Sequence, residues 1–316
     1  MKLSRLLFLL PVLISTGNPA LLSQVPQQFN NLLVTTDWLE ENRTDSLLVI
    51  LHYGMKTAYD QEHIPGARYV SIWDILVEDE QGLRQEFPDE QTLEQVFRSW
   101  GLNNNSNIII CYEDWDAIRW AARLFLTLDY AGLGNRVAML NGGLKAWKDE
   151  GRTVTSDVPA FKEGKVDIQI RDEVRVSKEE VLAMLHQKGV VMVDARPGER
   201  YYGTSLDDDS TRAGHIEGAV NIPNSNLTVD DSPHMFKTRN DLRMLFGDQG
   251  ISPESLVITY CGTGILASAD YFVARLLGFR VRFYDGSFQE WARDESLPIS
   301  KTATRPQAQP GGSPEV

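Results

Sequence analysis

A chain of 316 residues with 42% apolar composition is long enough for two domains of ordinary size, each with its own core. Its 44 acidic residues against 31 basic ones leave a formal charge of −13, which excludes a broad nucleic-acid face, because backbone phosphates are bound by clustered Lys and Arg. Small anionic substrates stay open to it, since they need only a local positive field, and seven Trp, ten Tyr and twelve Phe argue against general disorder.

In chain order, MKLSRLLFLLPVLISTGNPALLSQ comes first, with Lys2 and Arg5 ahead of an apolar run over 6–14. That run is too short to cross a bilayer and suits the core of a secretory signal. Residues 1–24 are therefore expected to be a signal segment, with cleavage near Ala20. The mature protein is then periplasmic or secreted with no stable membrane span; an uncleaved anchor or a cytoplasmic chain is the alternative. Apolar strands and helical stretches follow in alternation: SLLVIL, ARYVSI, SNIIIC, a long helix around IRWAARLFLTLDYAG, then RVAML. A polar stretch without periodicity, 157–174, reads as a linker between domains over 25–156 and 175–300. The alternation then returns as GVVMVDA, GAVNIP, SLVITY, the helix-like GILASADYFVARLLG and RVRFYDG, with Gly278 placed to close the helix. Residues 301–316 have the composition of a disordered tail. Strands alternating with helices predict an α/β fold, each domain a mainly parallel sheet flanked by helices.

The two halves repeat. EHIPGARYV at 62–70 returns as GHIEGAVNI at 214–222, NIIICYED at 107–114 as LVITYCGT at 256–263, and MLNGGLKAW at 139–147 as FYDGSFQEW at 283–291. Three matched blocks in one order imply two copies of one domain. Histidine 215 falls in the same turn as His63, which makes a structural role in that turn the simpler reading for His215.

Cys111 and Cys261 are the only thiols, each at the end of an apolar strand in a separate copy, so they are placed too far apart to pair. Without a CxxC motif, and with five scattered His, a metal site has no support. Cys111 precedes Tyr112, Glu113 and Asp114, which oppose a thiolate, and reads as a small buried hydrophobe. Cys261 precedes Gly262, Thr263, Gly264, Ile265 and Leu266, and then a helix. Glycines let that backbone curl, so its amides can point inward as a nest, and the helix N-terminus adds a positive field. Both effects predict a lowered thiol pKa and a nucleophilic Cys261. A cysteine phosphatase would need an arginine six residues after the cysteine to clamp phosphate, and that position is Ala267. EDWDAIRW reads as domain packing, with Trp115 or Trp120 able to line a cleft.

These blocks, together with NGGLKAW, VDARPGERYYG, GHIEGAVNIP, CGTG and YDGSFQEW, resemble the two-domain rhodanese-type sulfurtransferases from about Leu33 to Ile299. The resemblance implies an inactive N-terminal domain and a catalytic C-terminal one, tandem rhodanese-like domains working without a cofactor through a covalent cysteine persulfide. It makes Cys261 the sulfur acceptor, the loop amides of Gly262, Thr263, Gly264, Ile265 and Leu266 its oxyanion cradle, and Arg200 the ligand of the anionic donor. Asp194 and Arg196 become architectural. CGTG looks like the loop of 3-mercaptopyruvate sulfurtransferases, with Thr263 where serine is usual and His63 matching a cleft histidine; these two form a candidate proton relay. A second substrate arginine is replaced by the acidic 207–210 run, and Arg212 is the candidate substitute. The implied activity moves a sulfane sulfur from 3-mercaptopyruvate to a thiol, protein thiol or cyanide. Thiosulfate is the alternative donor, and a persulfide carrier or anion-binding module without turnover is the further alternative. A monomer or weak dimer suffices, because one chain already forms the interdomain cleft.

Overall fold

The structure, a computed structural model, describes residues 31–114, 117–206 and 210–301. The expected signal segment, Trp115, the acidic side chains Asp207, Asp208 and Asp209, and the expected tail beyond Lys301 lie outside the described residues. The first domain contains strands β1 (Leu33–Val34), β2 (Leu48–Tyr53), β3 (Arg68–Tyr69), β4 (Val77–Glu78), β5 (Arg84–Glu86), β6 (Asn107–Tyr112) and β7 (Val137–Leu140). The second contains β8 (Arg175–Val176), β9 (Val190–Asp194), β10 (His215–Ile216), β11 (Val220–Asn221), β12 (Thr228–Val229), β13 (Ser232–Phe236), β14 (Leu256–Tyr260), β15 (Arg280–Tyr284) and β16 (Ile299–Ser300).

Each domain is built on a five-stranded parallel sheet, ordered β1-β7-β6-β2-β3 in the first and β8-β15-β14-β9-β11 in the second. The orders correspond strand for strand, as the repeat requires. The strands read as continuous apolar runs because both faces are covered. In β6, Ile108, Ile110 and Tyr112 enter one core while Ile109 and Cys111 enter another. In the second domain, Val257 and Cys261 share the first of these cores, and Ile258 and Tyr260 face a third. The sequence shows four strands per domain; the fifth, β1 or β8, is two residues long and leaves no periodic trace.

The core containing Val257 and Cys261 is continuous across both domains. Its centre is the crossing of the helices Ile118–Tyr130 and Ile265–Leu277, where Phe125 meets Phe272 edge-on at 4.9 Å. Burying an aromatic or aliphatic side chain contributes about 1.5–3 kcal/mol, so a shared core fixes the domains against each other. The 157–174 stretch, expected as a linker, packs against the first domain. Val166 and Ile168 are buried, and the backbone of Gly164 and Asp167 bonds to Arg98 and Asn104 of the first domain.

The turn shared by the two copies is built alike in each. His63 stacks on Tyr59 at 3.9 Å and His215 on Tyr201 at 3.7 Å. In each pair the histidine Nδ1 lies 2.7 Å from the tyrosine carbonyl. The phenols bond Ala67 O and Ala219 O, also at 2.7 Å. His215 is thus a structural residue, as the repeated turn predicts. Among the described residues no helix is long and apolar enough to cross a membrane.

Candidate active site

Cys261 follows β14, at the carboxyl end of a central strand, where open α/β sheets place their ligands. The chain then turns through Gly262 and Thr263 into the helix Ile265–Leu277. Gly264 makes that turn with φ +92°, and a Cβ there would lie 3.1 Å from Phe283 and 3.2 Å from Arg123, so only glycine fits without strain. The loop is held from behind by the helix Ser287–Arg293. Phe288 N donates to Cys261 O and Gln289 N to Gly262 O, both at 2.9 Å, and the Ser287 hydroxyl accepts from Cys261 N at 3.3 Å.

The amide nest exists. Gly264 N donates to Cys261 Sγ at 3.1 Å, and the amides of Ala267 and Thr263 also aim at the sulfur. Of the five expected cradle residues, Thr263 and Gly264 are in this set, and Ala267 joins them. The thiol nevertheless sits above its ordinary pKa. Cys261 is 1% exposed, and burial, helped by the nearby Asp194 carboxylate, outweighs the three amides. This reverses the expected lowering. The sequence shows the cradle but not the covering that dehydrates it. Solvent still reaches the loop beside the sulfur, at Gly262, Thr263 and Leu266.

The first domain lies against this loop. Strands β4 and β5 form a hairpin whose end lies on the loop. Thr263 Oγ1 donates to Gln85 Oε1. Arg123, fully buried on the helix Ile118–Tyr130, pairs with Asp285 at 2.9 Å and donates to Gln85 O at 2.7 Å. Its guanidinium lies over the Phe87 ring, 4.2 Å from the centroid. Glu86 is buried beside Asp285, and burial next to that carboxylate pushes its pKa up to about 10, which favours its neutral form. Motif reading missed Gln85, Glu86 and Arg123. None lies in a repeated block, and each meets a residue of the other domain.

Other expected site residues are placed as follows. Arg200 is half-buried on the short helix Gly198–Tyr201, which follows β9. Because Asp194 ends β9 opposite Tyr260 of β14, Arg200 and Cys261 leave the same edge of the sheet. Arg196 pairs with Asp194 at 2.6 Å and lies 3.9 Å above the Phe288 ring, the architectural role expected of both. Arg212 does not stand in as a substrate arginine. Its guanidinium donates to the carbonyls of Trp291, Ala292, Asp294 and Leu297, which clamps the chain end after the Ser287–Arg293 helix. Nor is His63 a relay to Thr263. It is fully buried in its own turn, with Nδ1 on Tyr59 O and Nε2 3.2 Å from Asp157 O, while the Thr263 hydroxyl is taken by Gln85.

In the first domain Cys111 is buried within β6 with its thiol pKa raised by burial. Strand register sets His52 beside Cys111 as it sets Asp194 beside Tyr260, so Tyr112, not Cys111, occupies the place of Cys261. The Tyr112 phenol accepts from Gly142 N at 3.0 Å and donates to His234 O of the second domain at 2.7 Å. Among the described residues His52 has no hydrogen-bond partner for either ring nitrogen, and burial lowers its pKa to about 4. A neutral imidazole therefore stands where the second domain has its Asp194–Arg196 ion pair.

A rhodanese-like domain family model matches residues 35–150 and 177–294. Over 85% of its length the chain is 33% identical to the sulfur carrier protein TtuD of Thermus thermophilus, covering 96% of that protein. It is 30% identical to a thiosulfate sulfurtransferase of Azotobacter vinelandii, over 80% of this chain and 90% of that one. The crystal structure of SseA from Escherichia coli, described as a 3-mercaptopyruvate sulfotransferase, superposes with a TM-score of 0.71 at 27% identity, covering 81% of this chain and 98% of that one.

Proposed function

The chain belongs to the rhodanese-like family, and from that premise we propose that it is a sulfurtransferase that takes sulfur from 3-mercaptopyruvate onto Cys261. The observation that carries this reading is a lone sulfur at a strand end with the amides of Thr263, Gly264 and Ala267 turned onto it. Such a nest stabilises negative charge on sulfur and on a second sulfur bonded to it.

The Cys261 sulfur attacks the donor sulfur as its proton leaves. The donor carbon–sulfur bond breaks, its electrons pass to the pyruvate enolate, and one proton completes the pyruvate methyl group. Cys261 is left as a persulfide, and the cycle calls on no resident cofactor. An acceptor thiolate then attacks the outer sulfur and returns the Cys261 thiolate. Arg200, leaving the same sheet edge, holds the donor carboxylate. SseA, the structural relative, supports the choice of donor, as does a loop without a cation from Gly262 to Ser268.

Steady-state assays with 3-mercaptopyruvate and with thiosulfate, each with cyanide or a small thiol as acceptor, test the reading. Pyruvate release that disappears in Cys261→Ser supports it. Faster sulfite release from thiosulfate moves the donor to the alternative. Persulfide loading without turnover of either donor makes the protein a carrier, the role named in its Thermus relative. The exported location expected from residues 1–24 is a separate proposal, tested by N-terminal sequencing of the mature protein.

A further inference from the structure

The segment 84–87 of the first domain is fastened to the catalytic domain on both sides of Gln85. The Gln289 side chain accepts from Arg84 N at 3.1 Å and donates to Arg84 O at 2.9 Å. Asp285 Oδ2 accepts from Phe87 N at 2.8 Å. Gln289 also ties the nucleophile loop through its own amide, so one residue bridges the loop and the covering hairpin. Gln85 between these anchors has φ +67°, a left-handed conformation that a residue with a Cβ keeps only when its surroundings impose it. The result of this constraint is the bond from Thr263 Oγ1 to Gln85 Oε1.

A primary amide has an accepting arm and a donating arm in one plane. With Oε1 on Thr263, the half-buried Gln85 side chain keeps its NH2 arm without a partner among the described residues, a few ångströms from the loop that holds the sulfur. We propose that Gln85 is a specificity-determining residue lent by the inactive domain: its oxygen orients Thr263, and its NH2 group binds the acidic group of the sulfur donor. The proposal rests on the sulfurtransferase reading and gives that site its donor class, a thiol-bearing 2-oxo acid with one carboxylate. The surroundings admit such an anion. Glu86 next door is neutral, and the Arg123 charge is already balanced by Asp285, so a polar uncharged donor is what the covering hairpin offers.

Binding of 3-mercaptopyruvate to the Cys261→Ser protein, read by calorimetry, separates recognition from turnover. Adding Gln85→Glu keeps an oxygen for Thr263 but replaces the donating arm with a negative one. It is expected to weaken binding about tenfold or more, because a hydrogen bond to a charged group is replaced by repulsion. Gln85→Met, of similar length and lacking both arms, is expected to weaken it several-fold and decides the matter alone if the Glu variant does not fold. In the Cys261 enzyme the same changes should raise the donor KM more than they lower kcat. Equal affinity in the parent and both variants overturns the proposal, and so does a parent that does not bind the donor. Gln85-dependent binding in a protein whose Cys261 form turns over no donor removes the proposed activity and leaves the Gln85 assignment standing.

Discussion

Arg123 of the first domain and Asp285 of the second form a 2.9 Å ion pair with side chains 0% and 2% exposed, and this pair joins the two domains beside the Cys261 loop. Desolvating two charges is costly, and the pair is sustained by its further bonds: Arg123 to Gln85 O, and Asp285 to Phe87 N. Removing one partner leaves the other charge buried and alone.

Arg123→Met is therefore expected to destabilise the protein by about 3–5 kcal/mol in a denaturant titration. Loss of sulfur transfer should accompany it, because Gln85 loses its backbone anchor. A stability within experimental error of wild type would show that the interface does not depend on this pair.

Glu86 gives a pH signature. Its folded pKa is about 10, well above the ordinary value of 4.5, so the folded state holds a proton that the unfolded chain releases. Stability from this group is complete below pH 4.5 and declines as the pH rises toward 10. Glu86→Gln keeps a donor for Asp285 and has no proton to lose. Its melting temperature should match wild type near pH 4 and exceed it at pH 8, with about 3 kcal/mol at most in play at pH 7. Parallel melting curves across that range would contradict the protonated assignment.

Much of this architecture is legible in the residues, and the reason is local. Parallel strands covered on both faces read as apolar runs, and the Tyr–His turn repeats with its bonding intact although its partners are 4 residues apart in one copy and 14 in the other. CGTG gave the nest, since glycine and amide geometry are properties of a few neighbouring residues. What covers the nest was not legible. Thr263 and Gln85 are 178 positions apart, and Arg123 and Asp285 are 162 apart. Those contacts depend on how two finished domains dock. The expected acidity of Cys261 failed because burial, which the CGTG motif does not show, outweighs the amides around the sulfur.

Cys261 should accordingly alkylate slowly at neutral pH. Its rate with iodoacetamide is expected to rise with pH to a midpoint above that of a free thiol, since burial favours the neutral form. Cys111, wholly buried with its thiol also raised, should stay unmodified in the folded protein. Mass mapping of the labelled peptide measures both, and rapid labelling of Cys261 at pH 6 would contradict the covered geometry.

Arg212 and Arg200 should separate cleanly. Arg212→Ala removes donors from four carbonyls and is expected to lower the melting temperature while leaving the donor KM near wild type. Arg200→Ala should raise the donor KM with a smaller change in melting temperature. Exchange of the two outcomes would return Arg212 to the substrate site.

Tyr112 stands where the second domain has Cys261, and its phenol is tied to both domains through Gly142 and His234. With Cys261 as the proposed sulfur acceptor, the duplication is expected to yield one loading position per chain and not two. Saturation with donor should increase the mass of the intact protein by a single sulfur atom, and delivery to an acceptor is one-for-one with chains rather than with domains.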